Sequence, residues 1–222
     1  MLADCSRWAL GVVAGLPWTV PGSHGTFRFQ GRDYGYLHHL YKQTWLTERA
    51  VEVPVVQSLV DAHAGKRVLE VGNVLSRYRP HQRHVIVDKY ETRAGVLNRD
   101  VLELDDLGPF ELVVAISTLE HVGWDELPRE PGKAVEAVRA LTGILAPGGT
   151  LAFTVPAGYN PALDGALRDG TIALSSSAAL RRIGRTRFWE EVPADEVFSA
   201  PYDFLLFASR GVLFAFIEAP AG

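Results

Sequence analysis

Cysteine occurs once in the 222 residues, as Cys5, so no internal disulfide can form and a redox-stapled secreted scaffold is excluded. His81 and His84 stand three apart but have no companion cysteine or second histidine pair, so no metal site is expected. Basic residues are not in excess: 22 Lys and Arg face 26 Asp and Glu, for a net charge of −4. That balance argues against a nucleic-acid backbone as the main partner, because neutralising phosphates needs a basic face. Nor does any stretch reach the roughly 18 to 20 apolar residues needed to cross a bilayer, so no membrane association is expected. Ala9 to Leu16 is apolar and follows Arg7, as in a secretory leader. However, Asp4 sits where positive charge should dominate, Pro17 breaks the run and no small-residue cleavage site follows, so the expected location is cytoplasmic.

What the sequence does have is enough apolar mass, 47% of residues, for one sizeable core. A change in texture near Gly65 divides the chain into an N-terminal cap, 1–64, and an α/β core, 65–222. In the cap, Thr26–Gln30 and Tyr34–Tyr36 flank a Gly31-Arg32-Asp33 turn, the pattern of a hairpin. Thr47 is placed as the N-cap of a helix whose Val51, Val55, Val56, Leu59 and Val60 recur at helical spacing, with Pro54 as a source of distortion.

Beyond Lys66, short apolar runs alternate with helical patterns. The candidate strands are Arg67–Val71, His84–Val87, Gly95–Asn98, Phe110–Ile116, Thr150–Val155, Phe188–Val192 and Val212–Glu218. A helix is expected between Pro131 and Leu145, and an insertion at about 156–186, whose end leads into the basic stretch Arg181, Arg182, Arg185 and Arg187, read as a solvated loop. The implied architecture is α/β: a Rossmann-like, doubly wound, mostly parallel seven-stranded sheet with an N-terminal cap.

In such sheets ligands bind beyond the carboxyl ends of the strands. Glu70, Gly72 and Asn73 close the first run, Asp88 and Lys89 follow the second, and Asp100 and Val101 lie beyond the third. Ser117-Thr118-Leu119-Glu120-His121 follows the fourth, and Tyr159-Asn160 lies past the fifth. Asp88 stands 18 residues after Glu70, close to the offset of about 20 between a glycine turn and an acid that accepts from ribose hydroxyls. A carboxylate suits a vicinal diol because it only accepts and the diol can donate twice. An acid after a strand is also an ordinary helix cap, and a glycine there an ordinary turn. Only one of the three glycines of a dinucleotide fingerprint is present at Glu70–Ser76, so no cradle for a pyrophosphate forms and a nicotinamide-dependent reductase is disfavoured.

Val68-Leu69-Glu70-Val71-Gly72, Val87-Asp88-Lys89-Tyr90, Ser117 to Val122 and Leu145-Ala146-Pro147-Gly148-Gly149-Thr150-Leu151 together resemble the ordered motif series of class I S-adenosylmethionine-dependent methyltransferases, over about residues 66–155. The Glu70 to Ser76 turn is similar to that of a bacterial subgroup. The resemblance implies S-adenosylmethionine as cofactor and methyl transfer to an acceptor. It carries first-motif roles to Glu70 and Gly72, the ribose role to Asp88 and the adenine role to Asp100, with Val101, Lys89 and Ser117 beside them. Asn73 departs from the family, which has glycine there.

A hydroxyl acceptor benefits from a base, and His121, just past the fourth strand, is the candidate catalytic residue. Arg49 and Glu52 fall on nearly one helix face; they could reach the methionine carboxylate and amine of the cofactor or pair with each other. Tyr36, Tyr41, Trp45, Tyr159 and Asn160 are the candidate acceptor-binding residues, under a roof formed by the cap and the insertion. The acceptor is expected to be a small molecule methylated on oxygen or nitrogen, conceivably a sugar or natural product. The competing reading is a non-catalytic nucleoside-binding or scaffold protein that retains the fold.

Overall fold

The computed structural model describes residues 25–79, 83–200, 202 and 209–222. Cys5, the apolar segment Ala9–Leu16 and His81 lie outside them. Among the described residues no helix is long and apolar enough to cross a membrane. A hairpin of β1 (Thr26–Phe29) and β2 (Arg32–Gly35) turns at Gln30-Gly31 and leads to helix α1 (Arg49–Ala62). Then come β3 (Val68–Val71), β4 (Val85–Val87), β5 (Phe110–Ile116), α2 (Lys133–Gly143), β6 (Leu145–Pro156), α3 (Pro161–Arg168), β7 (Ser176–Arg182), β8 (Trp189–Val192) and β9 (Gly211–Glu218). The main sheet has seven strands in the order β4-β3-β5-β6-β9-β7-β8. β4, β3, β5 and β6 are mutually parallel, β9 runs against β6, and β7 against β9, so five strands share one direction. The fold is a Rossmann-like α/β sheet, mostly parallel and covered on both faces.

Burial on both faces explains the sequence texture of the central strands. All four residues of β3 are buried, and six of the seven in β5. Alternation is lost where no side chain faces water. Leu69, Val113, Leu151 and Phe153 pack towards α2 and α3, against Val138, Leu141 and Leu163. Leu112, Val114, Ile116 and Ala152 pack on the other face against Val53, Val56 and Val60 of α1. The hairpin joins that second layer: Phe27 and Phe29 sit among Val51, Val55, Trp189 and Phe214, with the Phe29 and Phe214 rings 4.5 Å apart. The segment read as a cap therefore shares its core with the sheet across residue 64.

Three local readings are corrected. Thr47 does not cap α1; its hydroxyl donates to Thr44 O, and Glu48 holds the N-cap position without a side-chain bond. Gly95–Asn98 is not a strand but a single bridge between Val87 and Leu97, because the Asn98 amide turns to donate to Asp88 O and Lys89 O instead of extending the ladder. The basic stretch near 181 is partly in the sheet: β7 carries Ala178, Ala179 and Leu180 into the two cores. Arg181 faces out and pairs with Glu190 and Glu196, whereas Arg182 is buried over the Trp189 ring. Pro54 is absorbed rather than tolerated: it cannot donate to Ala50 O, and that carbonyl accepts from Leu37 N at 2.9 Å, tying the hairpin exit to the helix.

If β7 is an integral strand, Leu180→Ala should cost about 2–5 kcal/mol, read as a lower urea midpoint at unchanged slope. A loss below about 0.5 kcal/mol would be the behaviour of a surface loop.

Candidate active site

The carboxyl ends of β3, β4 and β5 open into a cavity of about 480 Å³, within the usual range for a small-molecule site. Its floor is the turn after β3. Gly72 has φ of 81°, a conformation that disfavours any side chain, and an added Cβ would lie 2.3 Å from Thr118 Oγ1. Only glycine lets the β3 and β5 ends approach this closely.

The turn is shaped from below by Glu70, which is fully buried. Its Oε1 accepts from Val74 N at 2.7 Å and Leu75 N at 2.8 Å, and its Oε2 accepts from His84 Nε2 at 2.7 Å. Glu70 is thus not on the cavity wall; the direct cofactor contact expected of it is replaced by a positioning role. Asn73 is on the wall, its Oδ1 accepting from Ser76, and its Nδ2 is a buried donor without a protein partner.

One wall is Asp88. Its Oδ1 accepts from Tyr90 N and Glu91 N, both at 2.8 Å, in an Asx turn that fixes the carboxylate, while no bond to Oδ2 is formed among the described residues. Beyond it Lys89, Asp100, Glu126 and Lys133 alternate in charge. Lys89 Nζ lies 2.9 Å from Asp100 and 3.2 Å from Glu126, and Lys133 Nζ reaches the same two carboxylates. Burial would raise the Asp100 carboxyl, but Leu102 N–H and the two ammonium groups outweigh it and hold it below its ordinary value. Val101 is buried beside it on the wall.

The opposite wall follows β5. Ser117 has φ of 38°, rare for a residue with a side chain, and is clamped: its N–H donates to Thr154 Oγ1 and its hydroxyl to Glu52. His121 lines the mouth. Its Nδ1 donates to Asp125 Oδ2 at 2.6 Å, and the Tyr159 hydroxyl donates to the same oxygen at 2.8 Å. Burial and that bond push the Tyr159 hydroxyl pKa upwards. With Nδ1 carrying the proton, Nε2 is left as the basic nitrogen.

Gly72, Asn73, Asp88, Lys89, Asp100, Val101, Ser117, His121 and Tyr41 therefore meet at one cavity, with Tyr159 edge-on to His121 at 4.7 Å. Besides Glu70, four expected contacts do not. Arg49 is spent inside the protein, pairing with Glu52 at 3.0 Å and donating to Ile116 O and Ser117 O. Tyr36 packs on Phe27 and its hydroxyl accepts from Trp189 N; Trp45 is buried against His38. Asn160 is fully buried as the cap of α3, accepting from Ala162 N and Leu163 N and donating to Glu120 O. Sequence reasoning missed Asp125, Glu126 and Arg77 and gave Thr118 and Tyr90 no role of their own, although all five are on the wall. Asp125 had a readable signal: it is four residues past His121, within reach on a single helical turn.

No family model and no curated protein matches the sequence. Among solved structures the chain is similar to the N-methyltransferase NodS from Bradyrhizobium japonicum WM9 in complex with S-adenosyl-L-homocysteine, at 18% identity over 78% of this chain and 87% of that one, with a TM-score of 0.49. It is also similar to the sugar N-methyltransferase KedS8 from Streptoalloteichus sp. (16% identity, 89% and 98% covered, TM-score 0.40). A third is a 16S rRNA (adenine(1408)-N(1))-methyltransferase from Catenulisporales acidiphilia (12% identity, 76% and 92% covered, TM-score 0.39). The names span a sugar and an RNA, and a shared fold does not select an acceptor.

Gly72→Ala should lower stability by more than about 1 kcal/mol, since it adds both backbone strain and a clash. Thr118→Ala in the same chain should restore part of the loss, the clash but not the strain. Equal melting of wild type and Gly72→Ala would show that the close approach is not present.

Proposed function

We propose that the chain is a methyltransferase that binds S-adenosylmethionine across the carboxyl ends of β3, β4 and β5 and methylates a small-molecule acceptor. The observation that carries the reading is Asp88: a carboxylate fixed by two backbone N–H groups, with its second oxygen unpaired on the wall of a cavity of suitable size. A ribose diol supplies the two donors such a group lacks. The residues present fit the rest of the nucleoside. Gly72 leaves room where a Cβ would collide, and Asn73 Nδ2 is a buried donor awaiting an acceptor at the methionine end. At the adenine end, Asp100 Oδ1 accepts from Leu102 N, its one donor among the described residues, and keeps a lone pair for the exocyclic amine, while Val101 offers a buried apolar face.

S-adenosylmethionine, when bound, supplies a methyl group already activated by a sulfonium. What remains for the protein is to hold the acceptor in line, exclude water and take up a proton. His121 is placed to do the last: Asp125 holds its Nδ1 proton, orients the ring and stabilises the imidazolium that forms when Nε2 is protonated. The acidic lining supports a small molecule over a nucleic acid. Asp88, Glu91, Asp100, Asp125 and Glu126 outnumber Arg77, Lys89 and Arg99 on the wall, and the whole chain is acidic.

Removing Asp88 as Asp88→Ala should weaken calorimetric binding of S-adenosylhomocysteine about 10- to 100-fold, the loss of charge-assisted hydrogen bonds worth roughly 1.5–3 kcal/mol. Unchanged affinity would sink the ribose assignment. His121→Ala should leave that affinity intact and cut turnover of a hydroxyl or amine acceptor about 10²- to 10⁴-fold. Full turnover would remove His121 from the chemistry, and binding without any turnover across acceptors would favour the non-catalytic nucleoside binder.

A further inference from the structure

The turn between β6 and α3 carries two adjacent residues that reach back to the turn holding His121. Asn160, fully buried, donates from Nδ2 to Glu120 O at 2.9 Å, the carbonyl just before His121. Tyr159 meets the side chains instead. Its hydroxyl lies 2.8 Å from Asp125 Oδ2, the same oxygen that sits 2.6 Å from His121 Nδ1, and its ring is edge-on to the imidazole at 4.7 Å. The tyrosine is itself held. Tyr202 packs edge-on against its ring at 5.1 Å, and Gly158 N donates to Asp164 Oδ2 of α3 at 2.7 Å.

This bracing answers a weakness in the pair of His121 and Asp125, both of which line the cavity. Their side chains are 47% and 46% exposed. A pair so open to water holds its geometry poorly, because solvent competes for both partners. A phenol supplies what the pair lacks. The carboxylate only accepts, so Tyr159 is the donor, and burial together with Asp125 raises its pKa and keeps the proton on it. Ring packing against His121 and Tyr202 needs no hydroxyl, whereas fixing Asp125 does. Nε2 has no comparable tie to Glu120. Glu120 Oε1 lies 3.6 Å from it, beyond hydrogen-bond reach, and burial drives that carboxyl well above its ordinary range, towards the neutral acid.

We propose that Tyr159 is a positioning residue: by pinning Asp125 it fixes His121 in the Nδ1–H tautomer and leaves Nε2 as the proton acceptor. This rests on the reading of His121 as the base, and it moves Tyr159 from contact with the acceptor to support of that base. The tyrosine takes no proton in the reaction. The O–H or N–H bond of the acceptor breaks, its electron pair stays on the atom that receives the methyl group, and the proton bonds to the Nε2 lone pair. Tyr159 and Asp125 keep the bonds they already have and hold the imidazolium in place.

The test is nitrogen NMR of the full chain labelled with ¹⁵N-histidine, in alkaline buffer where a free imidazole is neutral, with the His121→Ala spectrum identifying its resonances. Wild-type His121 is expected to show a protonated Nδ1 and an unprotonated Nε2. Tyr159→Phe keeps the ring and is expected to lower the ratio of Nδ1–H to Nε2–H forms about five- to tenfold, the weight of one hydrogen bond. Tyr159→Leu, as a second variant, should do the same, and Asp125→Ala should abolish the preference. Unmoved resonances of the other histidines and unchanged S-adenosylhomocysteine affinity report an intact fold. A purely structural tyrosine would leave the tautomer alone. A wild-type Nε2–H form, or a wild-type ratio in either Tyr159 variant, would overturn the assignment. A wild type with the expected tautomer but no affinity for S-adenosylhomocysteine would keep the positioning role and overturn the donor reading instead.

Discussion

The carboxylate of Glu70 organises everything above the sheet. It is buried at the end of β3, where no water can solvate it, and it answers that cost by accepting from two consecutive backbone N–H groups and from His84. The bonds to Val74 and Leu75 wind the chain into a short 3-10 turn, and the bond to His84 holds the entry to β4 beside it. Gly72 and Asn73 are thereby presented to the cavity, and Asp88 is delivered at the next strand end. The crossovers after β3 and β4 contain no α-helix among the described residues, so a side chain supplies the order that a helix N-terminus gives in longer doubly wound folds.

Buried polar side chains do the same on the β5 side. Ser117 is held in an unfavourable backbone conformation by Thr154 and Glu52, and Arg49 fastens the carbonyls of Ile116 and Ser117 to α1. The N-terminal helix is therefore both a layer of the core and a brace for the site. Burial leaves the Glu52 carboxyl raised even with Arg49 beside it, so the brace is a polar network in an apolar setting, stable only while each member is paired. Glu48 and Glu120 lie buried beside it, each with one carboxylate oxygen that has no donor among the described residues.

The sequence made the sheet and its active edge legible because strand ends are marked by chemistry: apolar runs stop at Gly72, Asp88 and Ser117, and a topological rule places ligands beyond such ends. It could not say which way each polar side chain turns. Glu70 and Asp88 both close apolar runs, yet the first points into the protein and the second into the cavity. Tyr159 and Asn160 are adjacent, but one meets His121 and Asp125 while the other caps α3. Arg49 and Glu52, three apart on a helix, had two readings, and their mutual pairing is the one realised. β7 was hidden because its arginines look solvated, and only the partners Glu190 and Trp189 on the neighbouring strand show why they belong in a sheet.

In the proposed function, Asp88 Oδ2 receives the sugar of a nucleoside lying over Gly72. The most direct measurement is a crystal structure grown with S-adenosylhomocysteine. The expected density has both ribose hydroxyls within about 3.2 Å of the Asp88 carboxylate, with the sulfur on the His121 side of the Ser117-Thr118 turn. A nucleoside bound elsewhere on the molecule, or its sugar turned away from Asp88, would contradict the account.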